Sequence, residues 1–221
     1  MKVLGIETST AAGSLALVED GEVRARADID TRLSHSALLI PVLDDLLAGA
    51  GWSVGDLEGV GAGLGPGSFT GVRIGLAAAQ GLAFGCSIPL AGIGSFSALV
   101  RGISLPPGII VPLCDGGRGR IYGGRYRKDG FAVEELISPR IVPAGELGEF
   151  CRDARIVSPD RDRIRAFPGD VAGKIGEGEW EITFPRAEWV AILAEEKLRG
   201  NPASEIETAA PIYLTGYWDK K

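Results

Sequence analysis

VLGIETSTAAGSLALVEDGEVRARADID, residues 3–30, carries the first decision about the fold. Val3 to Ile6 is a short apolar run that ends at Glu7, and a turn of small residues, TSTAAG, follows. Leu15 to Val18 is a second apolar run, closed by Asp20-Gly21. That dipeptide signals a hairpin, because a type I′ turn needs positive φ at both central positions. Val23, Ala25, Ala27 and Ile29 then alternate with Arg24, Arg26, Asp28 and Asp30. Period two marks a strand with one wet face.

The plan returns once. Ile109 to Cys114 is an apolar run ending at Asp115, GGRG is the turn, Ile121 to Tyr126 the second strand, Asp129-Gly130 the hairpin and Phe131 to Ile137 the third strand. Glu7 and Asp115 stand 108 positions apart, and the two Asp-Gly turns 109. A helical segment follows each meander: Ser36 to Ala48 in the first half, and about Ala144 to Arg152 in the second. The first half continues with a strand near Val60, a helix from about Gly71 to Phe84, a strand near Leu90 and a helix from Ser95 to Gly102. Three antiparallel strands followed by alternating helices and strands describe an α/β, ribonuclease-H-like half with a mixed sheet flanked by helices. Two in tandem describe the actin-like (ASKHA) fold. The break is expected at SLPPG, giving lobes 1–105 and 106–221, because Pro-Pro-Gly cannot continue a helix. Further on, a helix is expected from Ala187 to Arg199, with Trp189, Leu193 and Leu198 inward and Gly200 as its cap. AAPIYLTG reads as a closing strand. Residues 155–180 show no clear period.

The 221 residues suffice for one large domain or two small lobes, and 45% hydrophobic with 24% charged is an ordinary globular composition. A net charge of −6 and a pI near 5.0 disfavour a protein that grips nucleic acid by a basic face of its own. The densest basic cluster, Arg118, Arg120, Arg125, Arg127 and Lys128, falls in the second hairpin and reads first as a solvated face. Cys86, Cys114 and Cys151 are odd in number and lack metal-site spacing, which points to a reducing cytosol. The start has no apolar leader core and no run approaches membrane length, so a cytoplasmic location is expected.

GLGPGSFTGVRIG, Gly63 to Gly75, joins a strand to a helix through a Gly-Pro-Gly turn that Ser68 or Thr70 would cap. Its amides and the helix dipole could hold an anion, or the loop is a structural turn. No Walker lysine and no GxGxxG spacing is present. Gly71, Gly75 and Ala79 recur every four residues in the following helix, with Ala78 and Gly85 as further small positions. Each interior glycine costs about 1 kcal/mol relative to alanine. Small residues at that spacing admit another backbone, either the protein's own sheet or a partner. In the preceding helix, Leu39, Leu43, Leu46 and Ala50 form a stripe that Leu38, Val42 and Leu47 widen beyond one face, which again suggests a second buried surface. Glu7 and Asp115 each end a first strand; as a pair they could hold a metal–phosphate group, and singly they would accept bonds from their own turns. His35 is the lone histidine, leaving no histidine pair for a metal and no second imidazole for proton transfer.

IETSTAAGSLAL, SHSALLIPVLDDLL and above all GLGPGSFTGVRIGLAAAQGLAFG resemble the TsaB (YeaZ-like) family, a glycoprotease-like relative of TsaD; CDGGRGRIYGGRY and AAPIYL agree more loosely. The resemblance implies a non-catalytic subunit, without metal or cofactor, of the complex that places threonylcarbamoyl on the adenosine next to the anticodon of tRNA. It implies pairing with TsaD through the N-terminal helices, a homodimer when that partner is absent, a small ATPase (TsaE) that joins the pair, a TsaC enzyme that supplies the adenylate, and tRNA met only through the complex. Carried onto this chain, the interface becomes Leu38, Leu39, Val42, Leu46, Gly71, Val72, Gly75, Leu76 and Ala79, and Gly75→Trp is expected to block pairing in a folded monomer. An anion or nucleotide would meet Glu7, Thr8, Ser9, Gly67, Ser68 and Asp115. The chain departs from the family pattern at Gly117 and Arg120, where the family often has Arg and Glu, and Glu7 replaces the aspartate of many actin-like ATPases. The competing readings are a metal-dependent peptidase, which needs ligands that one histidine does not supply, and an actin-like ATPase or small-molecule kinase, which needs both acid turns open to nucleotide.

Overall fold

The computed structural model describes residues 1–30, 35–167, 173, 175, 180–200 and 204–214. The doubled meander is present. In the first half β1 (Lys2–Glu7), β2 (Ala12–Glu19) and β3 (Glu22–Asp30) pair antiparallel, and β1 pairs parallel with β4 (Gly59–Gly63), which pairs parallel with β5 (Leu90–Ile93). The sheet order is β3-β2-β1-β4-β5. In the second half β6 (Gly108–Asp115), β7 (Ile121–Asp129) and β8 (Ala132–Val142) pair antiparallel, and β6 pairs parallel with β9 (Arg155–Ser158), which pairs parallel with β10 (Trp180–Ile182). That order, β8-β7-β6-β9-β10, repeats the first strand for strand. Asp20 and Gly21 take φ of 53° and 79°, as the hairpin requires.

Period two on β1 sorts its side chains between two cores. Leu4 and Ile6 face a cluster with Leu17, Val60, Leu90 and two helices, α1 (His35–Gly49) and α2 (Phe69–Cys86). Val3, with Val18, Ala91 and Ile93, faces the opposite side of the sheet. On α1, Leu39, Leu43, Leu46 and Leu47 are buried and Leu38 and Val42 half-buried, so its broad apolar stripe is used by the chain's own core. Helix α3 (Ser95–Gly102) follows β5 as expected. The second half packs Val111, Leu113, Ile121, Ile156 and Trp180 with Leu147 and Phe150 of α4 (Leu147–Phe150) and Ile164 of α5 (Arg161–Arg165).

The last helix, α6 (Ala187–Gly200), differs from its expected place. It packs Ala187, Val190, Ala191, Ala194 and Leu198 against the first sheet. The two compact units are therefore Met1–Ala98 with Pro185–Pro211, and Leu99–Phe184 with the stretch from Ile212 on, so a cut at 105/106 does not describe them. The physical reason is a match of small residues. A β-carbon on Gly5 would lie 2.2 Å from the carbonyl oxygen of Ala187, and one on Gly61 2.6 Å from Cβ of Ala194. Trp189 and Leu193 are only half-buried at the margin of this contact. The expected closing strand is absent from residues 204–214. Glu205 N–H instead donates to Leu90 O (2.9 Å) and Gly92 N–H to the Glu205 carboxylate (2.8 Å), covering the free edge of β5. Residues 215 and 216 of that expected strand lie outside the described residues.

Candidate functional site

Helix α2 begins at Ser68, whose Oγ accepts from Gly71 N–H (3.1 Å), and ends at Ser87, whose φ of 55° stops the helix. Gly71, Val72, Gly75, Leu76, Ala79 and Ala83 are buried. A β-carbon on Gly71 would lie 2.0 Å from the carbonyl oxygen of Thr8, and one on Gly75 2.2 Å from Thr8 Oγ1. The stripe expected to admit a partner thus admits the chain's own first turn. Together with Leu39 and Leu46, these residues are core and not an exposed surface, and Gly75→Trp would disrupt the fold before it disrupted pairing. The reason lies in the pattern, since α2 carries small residues on two sides. On the outer side stand Ala77, Gly81 and Gly85, again four apart and exposed, with no atom within 4 Å of a β-carbon on either glycine. Phe84, 78% exposed, adjoins this stripe, and Phe69, 48% exposed at the start of the helix, has the Arg73 guanidinium 3.6 Å over its ring.

Glu7, Thr8 and Ser9 form a sealed knot. The Glu7 carboxylate accepts from Ser9 N–H (2.6 Å) and from Ser95 Oγ–H (2.7 Å), and Ser95 Oγ accepts in turn from Gly65 N–H (3.0 Å). Thr8 Oγ1 donates to Gly71 O (2.8 Å), and Ser68 N–H to Ser9 O (2.6 Å), so the cis Gly65–Pro66 loop lies over the turn. Burial pushes the Glu7 carboxyl above its ordinary value, opposed by the bonds from Ser9 and Ser95. Gly63 has no room for a side chain, because a β-carbon would meet Glu7 Oε2 at 2.3 Å. The expectation of an anion at Glu7, Thr8, Ser9, Gly67 and Ser68 is corrected accordingly. The first three residues are wholly buried, and the Ser68 amide is already bonded to Ser9.

The equivalent turn of the second unit has the same local bond and a different setting. Gly117 N–H donates to Asp115 Oδ1 (2.7 Å), as Ser9 does to Glu7. Asp115 N–H donates to Asp160 Oδ2 (3.0 Å), and Asp115 Oδ2 pairs with Arg163 at 2.6 Å. Burial pushes the Asp160 carboxyl up, against the Asp115 amide and Arg163, which lower it. Sequence reading missed Asp160 and Arg163; their signal is SPDRDR following β9, the counterpart of β4 in the repeat. Of the basic cluster, Arg125 donates to Phe150 O, Arg127 pairs with Glu134, and Lys128 is buried and donates to Arg101 O (3.1 Å). Arg118 and Arg120 stay with the turn. The side chain of His35 lies outside the described residues. Among those residues no three His, Cys, Asp or Glu side chains group as metal ligands, and no helix is long and apolar enough to cross a membrane.

Comparison with known proteins agrees with this architecture. The family model described as "TsaD: tRNA N6-adenosine threonylcarbamoyltransferase" matches residues 30–153. The chain is 35% identical over 224 residues to the tRNA threonylcarbamoyladenosine biosynthesis protein TsaB of Escherichia coli (strain K12), covering 97% of this chain and 94% of that protein. It is 29% identical over 219 residues to the protein of the same name from Bacillus subtilis (strain 168), with 97% and 94% covered. The structure of YeaZ from Pseudomonas aeruginosa shares the fold, with a TM-score of 0.81 at 24% identity over 96% of this chain and 99% of that one. The doubled actin-like plan, the Gly-Pro-Gly loop that seals Glu7 and a relative 35% identical along nearly its whole length place this chain in the TsaB (YeaZ) family.

Proposed function

We propose that this chain takes part in tRNA threonylcarbamoyladenosine biosynthesis as a non-catalytic subunit that pairs, through the outer face of α2 and the neighbouring face of α1, with a threonylcarbamoyltransferase of the TsaD kind. The observation that carries the reading is the outer stripe of Ala77, Gly81 and Gly85. Gly81 stands in the helix interior, where a glycine costs about 1 kcal/mol, and Gly85 in the last turn. The inner glycines have their reason in Thr8, whereas the outer ones meet no atom of this chain. An incoming helix that approaches closely, with Phe69 and Phe84 burying against it, supplies the missing reason.

The family model that matches residues 30–153 covers α1 and α2 and carries the transferase's name. A chain and a partner sharing this half can join by the same patch on each, as an isologous dimer does, and the same face then serves a homodimer when the transferase is absent. The non-catalytic part of the reading is supported by the acids. Glu7 is sealed by hydrogen bonds, and Asp115 is ion-paired and engaged by its own turn. A TsaE-like ATPase and a TsaC-like enzyme complete the proposed system.

Gly81→Trp is the direct test, since its side chain enters open space. The variant is expected to keep the thermal midpoint within a few degrees and to lose co-purification with a TsaD-like partner by at least about tenfold, the equivalent of about 1.4 kcal/mol. Retention of the pair at wild-type affinity would overturn the surface. Supplied with threonylcarbamoyl-adenylate and tRNA, the purified chain is expected to give no modified nucleoside until the transferase and the TsaE-like ATPase with ATP are added; product without the transferase would overturn the non-catalytic role.

A further inference from the structure

The two equivalent turns of the repeat meet opposite fates. The first lies beneath the loop before α2, while the second, Gly116–Arg120, carries Arg118 at its exposed tip. Gly117, Arg118 and Gly119 have φ of 72°, 55° and 74°, so an arginine sits in the left-handed region between two glycines. A β-carbon disfavours that conformation, and such outliers gather at functional positions. Helix α5 stands against this turn and brings Arg161, Arg163 and Arg165 within five residues. Asp115, whose side chain is 7% exposed, holds Arg163, which is itself 72% exposed. Asp115 N–H also bonds Asp160, the residue from which α5 starts, so the turn and the helix are tied together. Arg120 Nε donates back to Gly117 O (3.3 Å), and Arg161 pairs with Asp162 (2.9 Å). Arg118, Arg163 and Arg165 are exposed, Arg163 while keeping its ion pair with Asp115.

We propose that the exposed arginines of the second unit's turn and of α5, Arg118, Arg163 and Arg165, bind the phosphate backbone of RNA; the choice of RNA rests on the tRNA reading above. Guanidinium forks match phosphate oxygens bidentately. Several exposed arginines spread over two elements suit successive phosphates of a strand, where one terminal phosphate would call for an enclosed nest. Asp115 holds Arg163 alone, and Asp162, 77% exposed on the same helix, is paired with Arg161. With a net charge of −6 on the chain, the attraction is local, weak and salt-dependent.

The test measures fluorescence anisotropy of a labelled tRNA transcript titrated with the full-length chain at several salt concentrations. Three or four phosphate contacts predict a slope of log affinity on log salt of about −2 to −3. The double variant Arg118→Glu/Arg165→Glu is expected to bind at least about tenfold more weakly at low salt, with a slope shallower by about 2. The matched reversal Arg24→Glu/Arg26→Glu on β3 is expected to change affinity by less than about threefold. Equal losses in both double variants, or no salt-dependent binding by the wild type, would overturn the proposal. So would displacement of tRNA by millimolar ATP but not by unlabelled RNA, which would assign the arginines to a free nucleotide. Gly81→Trp separates the two readings. Pairing abolished by that variant with no tRNA binding to the wild type refutes the arginine surface alone; tRNA binding that the arginine reversal removes, with pairing untouched by Gly81→Trp, refutes the pairing face alone.

Discussion

Glu7 shows how one residue can carry a functional signature and a structural task. Its position at the end of a first strand, before a turn of small residues, is legible in the sequence, as is its match to Asp115. The seal is not, because the groups that close it, Ser95 Oγ and the loop before α2, come from far along the chain. Burial raises the folded pKa above the ordinary 4.5. Between the unfolded and folded values the native state holds the extra proton, so this residue's contribution to stability is full below the unfolded pKa and is lost as pH rises through the folded one. Glu7→Gln keeps an acceptor for Ser9 N–H and removes the titration. As pH rises above the ordinary 4.5, the denaturation midpoint is expected to fall in the wild type relative to the variant; parallel profiles would refute the upward shift of the buried carboxyl.

At the scale of the element, α2 reads differently on each side. Gly71→Ala would press its methyl group on the Thr8 carbonyl, a backbone atom that cannot swing aside, and is expected to cost about 1–3 kcal/mol. Gly81→Ala meets nothing and is expected to stabilise the helix by about 0.5–1 kcal/mol. Chemical denaturation of the two variants checks both signs, and equal shifts would refute the two-sided description. The sequence shows both small stripes, at 71, 75 and 79 and at 77, 81 and 85, but not which one the sheet covers. The helix α6 repeats the lesson. Its existence and limits follow from its period, while its docking depends on Gly5, Gly59 and Gly61, which lack side chains and so give no apolar signal of a packed face.

For the whole molecule the return of α6 decides what is independently stable. A chain ending at Phe184 would uncover Val3, Val18, Ala91 and Ile93 and would lack Val190 and Leu198. Each fully buried Val, Leu or Ile contributes about 1.5–3 kcal/mol, against a total stability of about 5–15 kcal/mol for an ordinary domain. That truncation is expected to lose cooperative unfolding of the first unit by circular dichroism and to be cleaved within Met1–Ala98 by limited proteolysis. A melt as sharp as that of the full chain would contradict the placement.

By itself the sequence determined the doubled meander, its Asp-Gly hairpins, the Gly-Pro-Gly entry to α2 and the family, because period and turn chemistry act over a few residues and leave their mark there. Tertiary structure alone decided that Glu7 is sealed while the turn after Asp115 keeps its tip exposed, that the inner glycines of α2 serve Thr8 and the outer ones face solvent, and that α6 joins the first sheet. Each of those outcomes rests on contacts between segments tens of residues or more apart, such as Gly21 N–H to Glu195 across 174 positions, and no local pattern records which of two similar faces such a contact will bury.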